Sequence, residues 1–413
     1  MTDVEGAHDG PLDGLSRGTN QTGVRLYNER LVLSIIRRHG VLPKADIARA
    51  TGLSPQTISI IINQLTADGL LQRGEPNRGR IGQPSVPFSL NPDGAYALGL
   101  KIGRRSADLY LINFTGEILR RVHETYTYPT PAGILDFADK AMQKLLTGLP
   151  ETITTRIAGL GIAAPFEIWR WPEETGAPPA DVDAWRTADI RAALAKRYPW
   201  PVYFSNDVTA ACAAELLFGQ GVSYPDYLYL YIGSFIGGGL VLNGHLFPGT
   251  RQNAGAIGSM PALAQTETGP RAAQLVNIAS IYVLERLLIA QGDDPKILWQ
   301  SPENWGALGP ALDTWITDMS EALALAIVSA AAVLDIPTVM IDGAFPEPVR
   351  ARIVATTIAA VDRINQAGIS PFAIIAGTIG PAARALGGAT IPLLANFTQD
   401  REVLFKENST GLR

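Results

Sequence analysis

Cysteine is nearly absent: the 413-residue chain holds one, Cys212. A single thiol cannot close an internal disulfide, and with no CxxC or Cys/His cluster a cysteine-built zinc site is excluded. Charge is sparse as well, at 18% of residues and a net of −5, so the whole chain is no polycation. No apolar run reaches the roughly 20 residues that a membrane span needs. The longest, Ala322 to Leu334, is interrupted by Ser329 and closed by Asp335 and Pro337, and it reads as a buried helix. The first 23 residues lack the basic start and apolar stretch of a secretory signal. They carry Gly6, Gly10, Gly14, Gly18 and Gly23 among acids and small polar groups and read as a mobile tail. A soluble, cytoplasmic protein with no membrane partner is expected. What remains is ordinary globular composition, 46% hydrophobic, at a length suited to two or three domains.

The charge is unevenly placed. Residues 1–90 hold 10 Lys+Arg against 8 Asp+Glu, and the rest of the chain holds 24 against 31. Without the acidic tail, residues 24–90 carry nine basic and four acidic side chains. A basic module on an acidic body suggests that the first segment alone meets a polyanion. Charge by itself fits a solvated basic face equally well, so pattern must decide.

Tyr27 to His39 reads as a helix with Leu31, Val32, Ile35 and Ile36 on one stripe, stopped by Gly40. A short helix follows from Pro43 through Ala50, then a turn at Gly52 and Leu53. Ser54 before Pro55 is a strong helix start, a hydroxyl N-cap followed by proline at the first helical position. Ile58, Ile61, Ile62 and Leu65 then recur at helical spacing, leaving Gln56, Ser59, Ile60 and Asn63 on the opposite face. This layout is that of a helix-turn-helix, whose second helix enters the major groove and whose Gln and Asn amides can pair with adenine. A three-helix bundle with a solvated polar face would share it. The following segment favours DNA: Leu70 to Gln72 and Val86, Phe88, Leu90 read as wing strands. The tip between them, Glu75 to Pro84, carries Arg78 and Arg80 among glycines, suited to phosphate or minor-groove contact.

From Tyr96 the pattern turns to apolar strands and glycine turns. Strands are expected over Ala97–Ile102, Leu109–Phe114, Ile157–Ala163, Val202–Phe204, Tyr227–Ile232 and Gly238–Leu242. Helices are expected over Asp136–Leu146 and from Asn206-Asp207 through Leu216. Two strand-rich regions, each followed by helices, predict a two-lobed α/β body with a cleft.

The residues now carry a resemblance. A winged helix, a strand–glycine–strand start, and Asn206-Asp207 opening an alanine-rich helix resemble the ROK family of repressors, open reading frames and sugar kinases. The run Gly233 to Gly244 is similar to that family's second glycine-rich loop and hairpin. Asn253 to Met260 falls where the family has Ala-Gly-Glu-Ile-Gly-His. The likeness spans roughly Leu26 to Gly343. It implies an α/β fold with an N-terminal winged helix-turn-helix followed by a two-lobed, actin-like ATPase (sugar-kinase-like) body. The expected divisions are 1–23 tail, 24–92 winged helix, 93–205 first lobe and 206–413 second lobe, the C-terminal helix being free to return to the first lobe.

Departures from the family pattern bear on chemistry. Where ROK kinases have an acidic residue and Gly-Gly-Thr for phosphates and magnesium, this chain has Lys101-Ile102-Gly103-Arg104-Arg105. A cation there repels magnesium, and two long side chains fill the phosphate turn. The family's sugar-contacting Asn and Asp fall on Asn206 and Asp207, the Asp being the kinase base. Its glutamate falls on Ala256, its zinc-binding histidine on Ser259, and its last sugar-binding glutamate near Val276. The zinc loop would lie near Glu267 to Gln274, which contains no cysteine.

Each of these residues also has a plainer reading. Asn206 or Asp207 can serve as a helix N-cap. His245 reads as a surface residue, Cys212 as core, and Gly237 to Gly239 as a tight hairpin as readily as a phosphate approach. Trp169, Trp171 and Trp185 can stack on a sugar ring or aromatic ligand, anchor a loop or pack against another subunit.

The resulting expectation is a DNA-binding transcriptional regulator, a repressor of a carbohydrate-related or other catabolic operon, acting as a homodimer or homotetramer. Gln56, Thr57, Ser59 and Asn63 would contact the double-stranded operator, with Arg78 and Arg80 on the wing. Asn206 and Asp207 would touch a sugar or sugar-derived effector. No catalytic residue, metal or cofactor is expected. The alternatives are an ATP-dependent sugar kinase with a fused DNA-binding head, and a scaffold whose body only oligomerises.

Overall fold

The computed structural model describes residues 21–76, 85–165, 169, 177–266, 269–306 and 308–399. The chain forms two compact units: the described residues up to Ser89 together with 397–399, and Leu90–Asn396.

In the first unit α1 (Gln21–His39) buries Val32, Leu33 and Ile36. It starts six residues before the expected helix start at Tyr27 and takes in residues 21–23 of the expected tail, because among the added residues only Val24 and Leu26 are apolar and they leave no periodic signal. Gly40 ends it at φ +79°, its N–H donating to Ile36 O. Next come β1 (Leu42–Pro43) and α2 (Lys44–Thr51), which buries Ile47 and closes on Gly52 at φ +70°. The left-handed region that these two turns occupy costs a side-chain-bearing residue strain that glycine avoids. α3 (Pro55–Ala67) starts at Ser54, whose Oγ accepts from Thr57 N at 3.1 Å. Ile58, Ile61, Ile62 and Leu65 are buried as their spacing requires. β2 (Leu71–Arg73) and β3 (Pro87–Leu90) complete a sheet of order β1-β3-β2, with Phe88 opposite Leu42. Gln399 returns to this unit, its backbone N–H donating to Ser34 Oγ and its amide to Tyr27 OH.

The second unit contains two five-stranded sheets. The first is built from β4 (Tyr96–Ile102), β5 (Ser106–Asn113), β6 (Ile118–Thr125), β7 (Ile157–Ala164) and β8 (Val202–Asn206). Its order is β6-β5-β4-β7-β8, with the first three strands antiparallel and the last two parallel to β4. The second comprises β9 (Tyr227–Ile232), β10 (Ile236–Leu242), β11 (His245–Leu246), β14 (Thr338–Gly343) and β15 (Ala373–Ala376). Its order is β11-β10-β9-β14-β15, the same arrangement repeated. A separate hairpin pairs β12 (Pro261–Thr266) with β13 (Gly269–Gln274), in the stretch where the zinc loop is expected.

Helices pack the sheets. α4 (Pro131–Leu146) covers the first with Phe137, Ala141 and Met142. α5 (Asp207–Phe218) is buried around nearly its whole circumference, which suits its alanine content. Gly237 and Gly239 of β10 face it: a Cβ on either would crowd Val208 or Cys212. Those glycines therefore serve helix–strand contact. α6 (Ile281–Gln291) and α7 (Gly309–Leu334) bury Leu284, Leu288, Trp315, Leu323 and Ile327 in the second core. α7 is long and apolar enough to cross a membrane by length and composition, yet most of its apolar side chains are in that core. α8 (Glu347–Val361) packs beside it. The last helix, α9 (Ala383–Phe397), lies against the first sheet, where a Cβ on Gly99 or Gly161 would overlap the backbone of Ala389 or Gly388.

Candidate functional site

On α3 the outward face holds Gln56, Ile60 and Asn63, all exposed, with Ser59 half-buried beside them. Thr57 is half-buried and engaged locally, its Oγ1 lying 2.8 Å from the capping Ser54 Oγ. Asn63 Oδ1 accepts from Lys44 Nζ at 3.2 Å. That leaves the Asn63 amide N–H groups as its outward-facing function. Arg78 and Arg80 lie outside the described residues. Ile60 is 63% exposed on the same face, and its signal in the sequence was an isoleucine out of phase with the buried stripe.

In the body a cavity of about 130 Å³ opens between the two sheets. Asn206 and Asp207 line it, and so do Ala256, Ser259 and Val276. The folded chain thus gathers in one place every position that the resemblance assigned to sugar contact. Asn206 ends β8 and caps α5, its Oδ1 accepting from Val208 N at 3.0 Å and Thr209 N at 3.3 Å. Asp207 Oδ2 accepts from Arg384 Nη1 at 3.1 Å, and the Arg384 guanidinium also lies over the Tyr231 ring. Both side chains therefore have structural work: one is the N-cap, the other half of an ion pair.

Arg384 is a site residue that sequence reasoning missed. It lies 177 positions from Asp207 and belongs to no local motif. The one clue was a lone arginine in an otherwise apolar Ala/Gly helix.

The expectation at Lys101 to Arg105 is a cation at the metal-facing position and two long side chains filling the phosphate turn; the fold instead turns the lysine into the sheet. Lys101 is directly opposite Asp108 in the β4–β5 register, so its Nζ donates to Asp108 Oδ2 at 2.9 Å and Ser106 Oγ at 2.6 Å. His123 Nδ1 lies 2.6 Å from the other Asp108 oxygen. Burial alone would push the Asp108 carboxyl up, but Lys101 and His123 outweigh it and hold it well below the usual carboxylate range. Burial lowers the Lys101 ammonium against the opposing pull of Asp108. Arg104 and Arg105 both bond to Glu285 of α6, and Arg105 also donates to Thr127 O and sits over Trp299. Of the three cations, only Arg104 lines the cavity.

These partners decide what the site can hold. A magnesium–nucleotide centre needs carboxylate oxygens available to the metal. Here Asp108, Asp207 and Glu285 are each committed to a cation, so the set does not fit. At the end of β14, Asp342 is bound by Arg350, Tyr229 OH and the N–H groups of Gly343 and Gly380. For zinc, no group of three or more His, Cys, Asp or Glu side chains is assembled among the described residues.

The remaining candidates are structural. Cys212 is fully buried, and burial raises its thiol pKa. His245 is exposed on the β10–β11 turn, with its Nδ1 2.8 Å from Asn243 O. Trp185 donates to Pro129 O at 3.0 Å, and Trp169 packs against the first core, so both act as anchors. Trp171 lies outside the described residues.

Comparison with known proteins agrees with this geometry. The ROK family model matches residues 97–347 and the MarR family model residues 27–81. The xylose repressor of Bacillus subtilis (strain 168) is 24% identical over 241 residues, covering 58% of this chain. The match spans 62% of that relative's own length. A solved ROK family transcriptional regulator, a homolog of the E. coli MLC protein, superposes with a TM-score of 0.64 at 18% identity. It covers 92% of this chain and 99% of its own, so the fold extends through head and body. A ROK family glucokinase from Streptomyces griseus, solved with glucose and AMPPNP, has a TM-score of 0.56 at 19% identity and covers 72% of this chain and 99% of its own. The body therefore has the sugar-kinase fold, and with the family model matching more than half of its length, this chain belongs to the ROK family.

Proposed function

We propose that this protein is a sequence-specific DNA-binding transcriptional regulator, a repressor of a carbohydrate-related or other catabolic operon. Its body would be a non-catalytic kinase-like module for dimerisation and effector sensing. The observation that carries the reading is the pairing of two features: a capped α3 presenting Gln56, Ser59 and Asn63, and a kinase cleft whose carboxylates are closed by arginine and lysine.

In this reading α3 enters the major groove, with Gln56, Thr57, Ser59 and Asn63 at base edges and nearby phosphates and Arg78 and Arg80 on the wing. A homodimer or homotetramer in the cytoplasm would read a near-palindromic operator, with half-sites about one or more 10-bp turns apart. A small-molecule effector at the cavity of Asn206 and Asp207 acts only by favouring one spacing of the two heads over another.

The glucokinase-like fold of the body supports a second reading, a sugar kinase with a fused head. Magnesium-dependent ATP consumption by the purified protein over a sugar panel separates the two. The regulator reading expects no turnover above background, together with DNA binding that retains sequence preference. Sugar-dependent ATP use would establish the kinase.

A further inference from the structure

The chemistry of the cavity names a ligand class, an inference that rests on the body being the sensor. Its wall sets two guanidinium groups against one carboxylate. Arg104, Arg384 and Asp207 are its charged residues, an excess of one positive charge. Just behind the wall Arg104 and Arg105 share the single carboxylate of Glu285, so the cationic excess persists one layer out. Lys101 and Asp108 form a balanced pair and leave it unchanged. Neither cavity arginine is a surface side chain, since each is only 9% exposed. Arg384 Nε is buried without a hydrogen-bond partner among the described residues, so Asp207 does not saturate the guanidinium.

A neutral sugar is a poor match for this wall. Hydroxyl recognition needs acceptors as well as donors, and the one carboxylate present, Asp207, is already paired. An oxyanion meets the opposite condition: guanidinium groups bind carboxylate in a fixed fork, and burial strengthens the charge-assisted bonds. The surplus of one charge suits a carboxylate, whereas a phosphate would bring about −1.5 to −2. Ser234, Asn253 and Ser259, also in the wall, can serve a neighbouring hydroxyl or keto oxygen. Size sets a further bound. The cavity's volume of about 130 Å³ is close to that of an engineered cavity of about 150 Å³ that holds benzene, so about six heavy atoms fit within it.

We propose that this cavity binds a compact monocarboxylate bearing a hydroxyl or keto group, with Arg384 and Arg104 holding the carboxylate. The test uses the intact protein and isothermal titration at matched ionic strength. The probes are three-carbon 2-hydroxy and 2-oxo acids, their uncharged amides, inorganic phosphate, and the neutral sugars glucose and xylose. Carboxylates are expected to bind, with the amides at least about tenfold weaker.

Arg104→Gln should weaken carboxylate binding by about tenfold or more. It leaves Glu285 paired with Arg105, and an unchanged circular dichroism spectrum and melting temperature are the control that the fold is retained. Arg384→Lys, which keeps the charge opposite Asp207 but removes the fork, should do the same. Binding of neutral sugars or phosphate in preference to carboxylates overturns the inference, as does carboxylate affinity unchanged in both variants. DNA preference is read on the same samples. Its loss with carboxylate binding intact sinks the regulator reading alone, and retained DNA preference with no carboxylate bound sinks this one alone.

Discussion

Asp108 on β5 joins a lysine of β4 and a histidine of the edge strand β6, and two consequences follow from that placement. Replacing it with asparagine strands the buried Lys101 ammonium opposite a neutral amide. A broken buried pair costs about 3 kcal/mol, so Asp108→Asn should lower stability by that order in urea unfolding at pH 7. The second consequence is a pH dependence. The folded carboxyl lies below its ordinary value, so its stabilisation is complete above about pH 4 and fades as pH falls from there toward the lower folded value. The gap between wild type and variant should therefore narrow only below about pH 4. A gap that held constant to pH 2 would contradict the pairing. On α3, two substitutions should act in opposite ways. Ile62→Ala empties a fully buried position and should cost about 3 kcal/mol of head stability. Gln56→Ala, on the exposed face, should leave unfolding unchanged while removing about 1–3 kcal/mol of discrimination at one base pair. Urea titration and competition binding with single-base operator variants read the pair.

Elements differ in how clearly the sequence announces them. α3 is legible because its signals are local: a serine cap, a proline at the next position, and four apolar residues at helical spacing. Ser54→Ala should cost about 1 kcal/mol, since Thr57 N then loses its acceptor; chemical denaturation of the intact chain is the check, and an unchanged midpoint would refute the cap. The strands of the body are legible for the same reason, as apolar runs between glycine turns. Lys101's role was not, because it depends on register: only when β4 pairs with β5 does Asp108 stand opposite. The sequence read that lysine as a cation facing a metal, and the fold consumes it inside the sheet. Gly237 and Gly239 likewise acquire their meaning only when α5 is laid across β10. Arg384 illustrates the limit most clearly, since its partner is distant in the chain and no spacing rule connects them.

At the scale of the whole molecule, the repeated strand order places two equivalent strand–turn–strand units on either side of a cleft. In a kinase such a cleft brings acids and glycine turns to phosphate and metal. Here the same geometry is retained while its carboxylates are paired internally, and a winged helix is attached at the front. In the proposed reading, a cleft retained without the reaction suits a body that senses, and the head supplies an output for what is sensed. The central claim is that this output is sequence-specific DNA binding. It is tested most directly by incubating the purified intact protein with fragmented genomic DNA at low and physiological salt and sequencing what is retained. The account predicts a symmetric site still enriched at physiological salt. Retention that is blind to sequence and vanishes as salt rises, from protein shown to be folded, would contradict it.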